Sequence, residues 1–429
     1  MTVRFDAAWN NSIEVASEIS RNNLDVVVVR DILGRVSIFV DGDTSAIKDE
    51  FSRKLREAAG NFAAPNPIVS SLELYESDAV MKSHDLITLS EDSNSGRLSI
   101  LERGVVGADW TRSNSPSRLC RAAVYGFKGG VGRSTATFML AQYLADLGKC
   151  VLVVDLDLES PGVSALAQDV QNVSEYGIVD FLVESAVGNA DGLEIASRSQ
   201  LITGKNNGEA WLAPAGGRDL SGYLAKLNRI YADLPATEEQ PSKSFATRLD
   251  EAIRKAEDTV TSLSRKPDVV LLDSRAGVHD IAAVVLTQLS SINFLFGADN
   301  PQTWTGYRTL FEQWKISGKA RELGERIQMV SSMTPDKDRD RYLSSFRDHA
   351  QEVFSETLYE DTDDSELDAF NFSVDDVNAP HSPLPISFNS DLVALDPTRQ
   401  PHWHSQQLIQ AAFKDFLLPA SQLILGYDQ

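Results

Sequence analysis

Cysteine, positive charge and long apolar runs are all scarce in this chain of 429 residues. Its two cysteines, Cys120 and Cys150, have no metal-ligand spacing, which excludes a disulfide framework and a cysteine-built zinc or iron–sulfur site. No apolar run approaches the length that spans a bilayer, and residues 1–12 lack the apolar core of a signal peptide. We therefore expect a cytoplasmic protein that does not bind membranes.

Lys and Arg number 40 against 62 Asp and Glu, so the formal net charge is −22. Such a surface repels a phosphate backbone, and the few basic groups are diluted by acidic neighbours. The charge therefore disfavours nucleic acid as a partner. The apolar content of 42% and the length predict a globular chain of about two or three domains.

Residues 1–103 show the pattern of a small α+β domain without a catalytic constellation. Helical spacing covers residues 5–20, strand-like runs cover 25–30 and 36–40, and a further helix follows Asp43. Short strands are expected at 72–74 and 98–101. By elimination, this domain is expected to bind a partner or to oligomerise, and residues 104–118 are expected to be a linker.

A glycine-rich stretch, Phe127 to Thr135, lies between an apolar run and a helical pattern. Strand, glycine turn and helix form the architecture that directs backbone N–H groups at a phosphate. The stretch departs from the usual G-x-x-x-x-G-K-[ST] pattern, because Phe127 replaces the first glycine and Arg133 replaces the lysine. The alternative is a glycine turn that binds no ligand.

Two later apolar runs end in carboxylates. Residues 150–154 lead into Asp155 and Asp157, and residues 269–272 lead into Asp273. Continuous apolar runs are typical of parallel strands buried on both faces, and ligands bind at the carboxyl ends of such strands. Each pattern alone is also explained by a strand-end turn. Their order after the glycine loop favours a nucleotide site with Mg²⁺.

With these stretches, the chain resembles the Min/Par ATPases with a deviant Walker A loop, of the SIMIBI class. The resemblance rests on the loop at 128–132, the Asp155/Asp157 strand end, the turn at 214–216 and the motif at 273–277. It covers residues 120–395, with an insertion at about 218–266 in which helices are expected at 218–231 and 245–263. It implies a P-loop NTPase domain over 119–429, with a mostly parallel twisted sheet and helices on both faces.

The match is nearest to a bacterial branch that has Arg in the loop (Lys-Gly-Gly-Val-Gly-Arg), Asp-Leu-Asp-Leu-Glu-x-Pro-Gly in the second motif and Asp-Ser-Arg-x-Gly in the third. Several proteins of this branch resemble components of bacterial signalling or defence systems.

The resemblance also implies roles for individual residues. Lys128 corresponds to the signature lysine that reaches the partner's nucleotide across a dimer. Asp155 would orient or activate the attacking water with support from Asp157, and Ser134, Asp155 and Asp273 would hold Mg²⁺. The implied phosphate-binding residues are Gly129, Gly130, Val131, Gly132, Arg133, Ser134 and Thr135.

ATP is favoured over GTP by the resemblance and by the lack of an Asn-Lys-x-Asp guanine motif. The segments expected near the base are 329–335, including Pro335, and 383–388. Trp304 is interpreted as a core residue, with a lid over the nucleotide as the alternative.

An amphipathic helix at 405–418 is expected to pack on the domain, because Lys414 is its only basic residue and membrane-surface helices are rich in Lys and Arg.

The sequence thus predicts a Mg²⁺-dependent ATPase that dimerises around nucleotide and switches a protein partner, bound through the N-terminal domain or the helical insertion. The first alternative is a nucleotide-binding scaffold with little or no turnover. A Par-type DNA-segregation ATPase is disfavoured by the charge, and a tyrosine kinase by the lack of a C-terminal tyrosine cluster.

Overall fold

The computed structural model describes residues 3–74, 77–83, 85–90, 95–103, 108–113, 120–167, 172–234, 242–361, 369–392, 400 and 402–426. They form two compact units, Met1–Ala108 and Asp109–Gln429. Most of the expected linker, residues 104–107 and 114–118, lies outside the described residues. The function assigned to each domain stays a prediction.

The first unit is a mixed five-stranded sheet in the order β3-β2-β1-β5-β4. Its strands are β1 (Asp25–Arg30), β2 (Val36–Asp41), β3 (Ala63–Ser70), β4 (Leu86–Ser90) and β5 (Leu98–Glu102). Its helices are α1 (Phe5–Ser20), α2 (Lys48–Ala59) and α3 (Asp78–Met81). The predicted helix at 5–20 and the predicted strands at 25–30, 36–40 and 98–101 are confirmed.

The strand expected at 72–74 is wrong, because residues Ser71–Glu73 form a 3-10 turn. The strand lies earlier, at β3, which contains Pro65 and Pro67. Proline cannot donate to a strand ladder and therefore occurs at sheet edges, and β3 is an edge strand of this sheet.

The second unit is built on an eight-stranded sheet in the order β13-β12-β11-β6-β10-β7-β9-β8. All neighbours are parallel except β8 and β9. The strands are β6 (Cys120–Gly126), β7 (Cys150–Leu156), β8 (Ser197–Thr203), β9 (Glu209–Ala213), β10 (Val269–Ser274), β11 (Ile292–Gly297), β12 (Ile327–Thr334) and β13 (Leu384–Ser387). With apolar clusters on both faces, this sheet confirms the predicted fold class.

The helices of this unit cover both faces of the sheet. They are α4 (Arg133–Asp146), α5 (Val163–Ala167), α6 (Ile178–Ser185), α7 (Tyr223–Leu227), α8 (Phe245–Leu263), α9 (Asp280–Val284), α10 (Pro301–Ile316), α11 (Ala320–Gly324), α12 (Arg339–Thr357) and α13 (Gln407–Gly426).

The three central strands bring the predicted motifs to one edge of the sheet. β10 lies between β6 and β7, and all three are parallel, so their carboxyl ends meet. Asp273 on β10 pairs in register with Asp155 on β7. The glycine loop follows β6 at this same edge.

The region expected to be a helical insertion contains one short and one long helix. α7 is shorter than the expected helix at 218–231, since Asp219 forms a side-chain turn with Ser221 and Gly222 has a left-handed φ of 75°. α8 matches its predicted bounds, and its apolar face is fully buried in the core. α8 is therefore a core helix that leads into β10.

One helix among the described residues, α13, is long and apolar enough by length and composition to cross a membrane. Its buried side, including Ile409, Phe413 and Phe416, packs on α4, β6 and β13. The predicted packing on the domain is confirmed, and the expectation against a membrane stays a prediction.

Candidate functional site

The glycine loop connects β6 to α4, so the N-terminus of α4 lies at the carboxyl edge of the central strands. Gly130 and Gly132 have left-handed φ values of 76° and 79°, which glycine adopts without strain. A Cβ added at Gly129, Gly130 or Gly132 would meet no atom within 4 Å. The loop is therefore open on its outer side, beside the N-terminus of α4, as an anion cradle requires.

Phe127, at the position of the usual first glycine, is accommodated by α10. Its ring lies edge-on to Tyr307, with centroids 6.4 Å apart. A Cβ on Gly306 would lie 2.3 Å from Cδ1 of Phe127. Gly306 therefore makes room for the aromatic ring, a contact that sequence reasoning missed because the partners are far apart in the chain.

Arg133, at the position of the usual phosphate-binding lysine, is only 8% exposed. Its guanidinium donates to the backbone carbonyl of Ser274, and its Nη2 lies 3.5 Å from Oδ2 of Asp157. The structure thus brings together two of the predicted site residues, Arg133 and Asp157, in a contact that was not predicted. The hydrogen bond to Ser274 also anchors the guanidinium on β10. The compact ammonium of a lysine could not make this contact and the contact with Asp157 at the same time.

Asp155 is fully buried at the end of β7, and both of its carboxylate oxygens accept hydrogen bonds. Its Oδ2 accepts from the backbone N–H of Ser164 at 2.9 Å and from the Ser164 hydroxyl at 2.6 Å. Its Oδ1 accepts from the N–H of Asp157 at 3.2 Å. Burial raises the pKa of the Asp155 carboxyl, and the neighbouring Asp273 raises it further.

Asp273 is buried at the end of β10, and neither carboxylate oxygen has a hydrogen-bond partner among the described residues. The Ser134 hydroxyl and the Val163 N–H face it without meeting hydrogen-bond geometry. Burial raises the pKa of this carboxyl as well, and these two groups together with Arg133 oppose the rise. Two adjacent buried carboxylates, of which Asp273 has two unpaired oxygens, call for a bound cation or a proton.

Magnesium fits this donor set. Within the described part of the chain, no group of three or more His, Cys, Asp or Glu side chains could hold a metal by itself. Mg²⁺ commonly takes one or two carboxylates and completes its shell with phosphate oxygens and water. Ser134, Asp155 and Asp273 could therefore hold Mg²⁺ together with a nucleotide.

Gly162 was not predicted as a site residue, and the structure explains why it is glycine. A Cβ at Gly162 would lie 2.5 Å from Oγ of Ser134. The Pro-Gly end of the second motif therefore leaves the space that the Ser134 hydroxyl needs.

Lys128 is exposed at the start of the loop, and its Nζ donates to Oε1 of Gln302 at 2.9 Å. Its predicted contact across a dimer stays a prediction. Asp157 is half-buried beside Arg133, and burial raises the pKa of its carboxyl while Arg133 and Arg275 oppose the rise.

A cavity of about 310 Å³ lies beside the glycine loop. Both segments expected near the base contribute to it, the first through Met333 and the second through Ile386, Ser387 and Phe388. Pro335 lies two residues beyond Met333 and outside this lining, so its role stays a prediction. The remaining lining residues are Gly130, Val131, Gly132, Thr135, Asn389, Leu392 and Phe413.

Trp304 is a core residue, as interpreted from the sequence. Its ring packs edge-on against Phe346, with centroids 4.8 Å apart, and its Nε1 donates to Asp299 at 2.7 Å. This buried and satisfied position excludes a role as a lid in this conformation.

Comparison with known proteins identifies the family. Residues 122–373 match the model of the CobQ/CobB/MinD/ParA nucleotide binding domain. This match covers more than half of the chain, which therefore belongs to that family. The Min/Par resemblance and nucleotide binding are thereby confirmed, whereas the assignment to the branch with arginine in the loop stays a prediction.

Two curated relatives match shorter segments. The chromosome-partitioning ATPase Soj of Thermus thermophilus is 35% identical over 92 residues, which cover 20% of this chain and 35% of Soj. The cytosolic Fe–S cluster assembly factor cfd1 of Aspergillus terreus is 30% identical over 142 residues, covering 31% of this chain and 44% of cfd1. The chain thus spans less than half the length of these relatives.

Among solved structures, pNOB8 ParA bound to nonspecific DNA has a TM-score of 0.42 and 13% identity, covering 72% of this chain and 98% of that chain. Similarity at this level carries no argument about function. The expectation against nucleic acid gains no support from the comparisons and stays a prediction.

Proposed function

We propose that this protein is a Mg²⁺-dependent ATP-binding and ATP-hydrolysing switch that dimerises around nucleotide and signals to a protein partner. The observation that carries the proposal is the buried pair Asp155 and Asp273, with unpartnered Asp273 oxygens, beside an open glycine loop. Membership of a nucleotide-binding family supports the same conclusion.

In this proposal the chain acts mainly by positioning and by neutralising charge. Backbone N–H groups of residues 130–134 hold the phosphates, and the Arg133 guanidinium exchanges its contacts with Ser274 and Asp157 for phosphate oxygens. Ser134, Asp155 and Asp273 hold Mg²⁺, which when bound neutralises charge on the β- and γ-phosphates. Asp155, already oriented by Ser164, fixes the attacking water.

The base lies in the cavity beside the loop in this proposal. Its lining is mainly apolar, with Phe388 and Met333 available to cover a flat ring and Ser387 and Asn389 available for polar contacts. The cavity is consistent with a purine, and the preference for ATP rests on the family resemblance.

Phosphate release in Mg²⁺ and ATP tests the enzymatic part of the proposal. We expect turnover by the native chain and loss of turnover in Asp155→Ala, with ATP binding retained. Omission of Mg²⁺ should have the same effect as the substitution. Release no faster than that of Asp155→Ala would contradict hydrolysis.

The second candidate is a nucleotide-binding scaffold with little turnover. It is favoured by the anchoring of Arg133 on Ser274 and Asp157, since these contacts must break before the guanidinium can serve a transition state. The same assay separates the two candidates, because the scaffold binds ATP without releasing phosphate above the Asp155→Ala background.

In this proposal the switch acts on a protein rather than on DNA, because a chain with a net charge of −22 repels the phosphate backbone. Binding to a nonspecific DNA duplex, measured at several salt concentrations, checks this choice. Tight binding that weakens steeply with salt would favour a Par-type function.

A further inference from the structure

Two residues of the predicted motifs have no role in the proposed chemistry. Glu159 follows the Asp155 strand end, and Arg275 follows Asp273. The structure joins them as an ion pair between Oε2 of Glu159 and Nη1 of Arg275, with side chains 24% and 31% exposed. The pair therefore connects the segment that follows Asp155 with the segment that follows Asp273.

A third segment, residues 223–234, contacts the same place. The Tyr231 hydroxyl donates to Oε1 of Glu159, and the Tyr223 hydroxyl donates to the backbone carbonyl of Leu158 at 2.7 Å. His279 adds to the cluster, since its Nε2 lies 3.5 Å from Oε1 of Glu159 and its ring is edge-on to Tyr231. Glu159 thus contacts groups from two other parts of the chain, Tyr231 and residues 275–279.

The far side of segment 223–234 is fixed to the core. Buried Arg248 on α8 donates to the carbonyls of Ile230 and Ala232 at 2.8 and 2.6 Å. The Tyr231 ring also packs on Phe245, with centroids 5.5 Å apart. Segment 223–234 therefore lies between α8 on one side and residues 158 and 159 on the other.

We propose that Glu159 is a positioning residue which, with Arg275 and Tyr231, couples the two nucleotide-contacting segments to residues 223–234. In this way segment 223–234 responds to the nucleotide state and presents it to a partner. The inference rests on the proposed function, because it requires that ATP binds at the glycine loop.

Hydrogen–deuterium exchange of the full chain, with and without Mg²⁺ and ATP, tests this coupling. In the native chain we expect ATP to slow amide exchange at the glycine loop and also at residues 223–234. In Glu159→Gln we expect the effect at the loop to persist and the effect at residues 223–234 to be lost. Tyr231→Phe, which leaves the Glu159–Arg275 pair in place, should weaken the effect in the same segment.

Glu356→Gln is the matched control, because Glu356 forms a half-exposed ion pair with Arg308 away from this cluster. It should behave like the native chain in both regions. A purely structural role for Glu159 predicts faster exchange at residues 223–234 with and without ATP, and an unchanged response to ATP.

The outcomes separate this inference from the proposed function. If the native chain shows protection at the loop but no change at residues 223–234, the coupling is wrong and nucleotide binding stands. An unchanged response in Glu159→Gln also overturns the coupling. If ATP protects neither region in the native chain, the proposed function fails and the inference fails with it.

Discussion

Asp155 and Asp273 lie side by side at the carboxyl ends of neighbouring strands, both shielded from water. Burial raises the pKa of both carboxyls above the usual aspartate range. An acid with a higher pKa in the folded state holds more protons when folded. Its contribution to stability is therefore present at low pH and decreases as pH rises through the folded pKa.

Asp273→Asn is predicted to remove much of this pH dependence. In the presence of a metal chelator, the unfolding free energy of each protein is compared between pH 5 and pH 8. The decrease in the native chain should exceed the decrease in Asp273→Asn by about 1 kcal/mol or more. The asparagine carries no charge and its amide can donate to Asp155. Chemical unfolding at the two pH values measures the difference.

The exposed Asp348→Asn serves as the control, and its stability should follow the native pH dependence. A steeper loss of stability between pH 5 and pH 8 in Asp273→Asn than in the native chain would contradict the assignment of Asp273 as a destabilising buried charge.

At the scale of elements, α8 is held on β6 by buried charges. Arg121 on β6 is 1% exposed, and it contacts Glu257 at 2.9 Å and Asp250 at 2.5 Å on α8. Burial raises the pKa of the Glu257 carboxyl, whereas Arg121 opposes the rise. Removing only the arginine would leave a buried carboxyl without its partner, which is more costly than removing the whole pair.

Arg121→Met is therefore predicted to reduce the unfolding free energy by about 3–5 kcal/mol. The double variant Arg121→Met/Glu257→Leu should recover most of that loss. Denaturant unfolding of the full chain measures both. Arg254→Met, which removes a largely exposed partner of Asp250, should cost less than about 1 kcal/mol. Equal losses in the single and double variants would contradict the pairing.

The contact between the glycine loop and α10 makes a second prediction at this scale. Gly→Ala inside a helix normally stabilises by about 1 kcal/mol. At Gly306 the new methyl group would instead press on Phe127, so Gly306→Ala should destabilise the chain and weaken ATP binding. Thermal unfolding and calorimetric titration with ATP measure the two effects.

The Phe127→Ala variant tests whether the Phe127 ring causes the destabilisation by Gly306→Ala. In that background, the same Gly306→Ala change should become neutral or stabilising, because the clashing ring is gone. If Gly306→Ala is stabilising in the native background, the ring does not limit the space at this position.

Elements of the site were predictable where the signal is local. β7 and β10 are continuous apolar runs that end in aspartate, and α8 has an apolar stripe over its whole length. The strand β3 was missed because its two prolines argue against a strand unless the edge position is known. The Glu159–Arg275 pair and the Phe127–Gly306 contact were missed since they join residues that are distant in the chain.

At the scale of the whole molecule, the parallel order of β6, β10 and β7 converts three separate motifs into one site. The order of the motifs along the chain predicted this arrangement, because parallel strands place their carboxyl ends at one edge. Sequence reasoning could not place β8 antiparallel at the far edge of the sheet, since no local pattern distinguishes the direction of an edge strand. It predicted the segment 329–335 near the base, but it could not single out Met333 as the residue that lines the cavity, because the left-handed φ of 56° at Met333 has no sequence signature.

In the proposed function, nucleotide controls the association of two copies of this chain. Size-exclusion chromatography with light scattering, in Mg²⁺ with ADP or with an ATP analogue that resists hydrolysis, tests it directly. We predict a monomer in ADP, twice that mass in the analogue, and no shift for Lys128→Ala. Lys315→Ala, which removes an exposed lysine with one similar hydrogen bond, should still shift. An unchanged monomer in the analogue, under conditions where the analogue binds, would contradict nucleotide-dependent dimerisation.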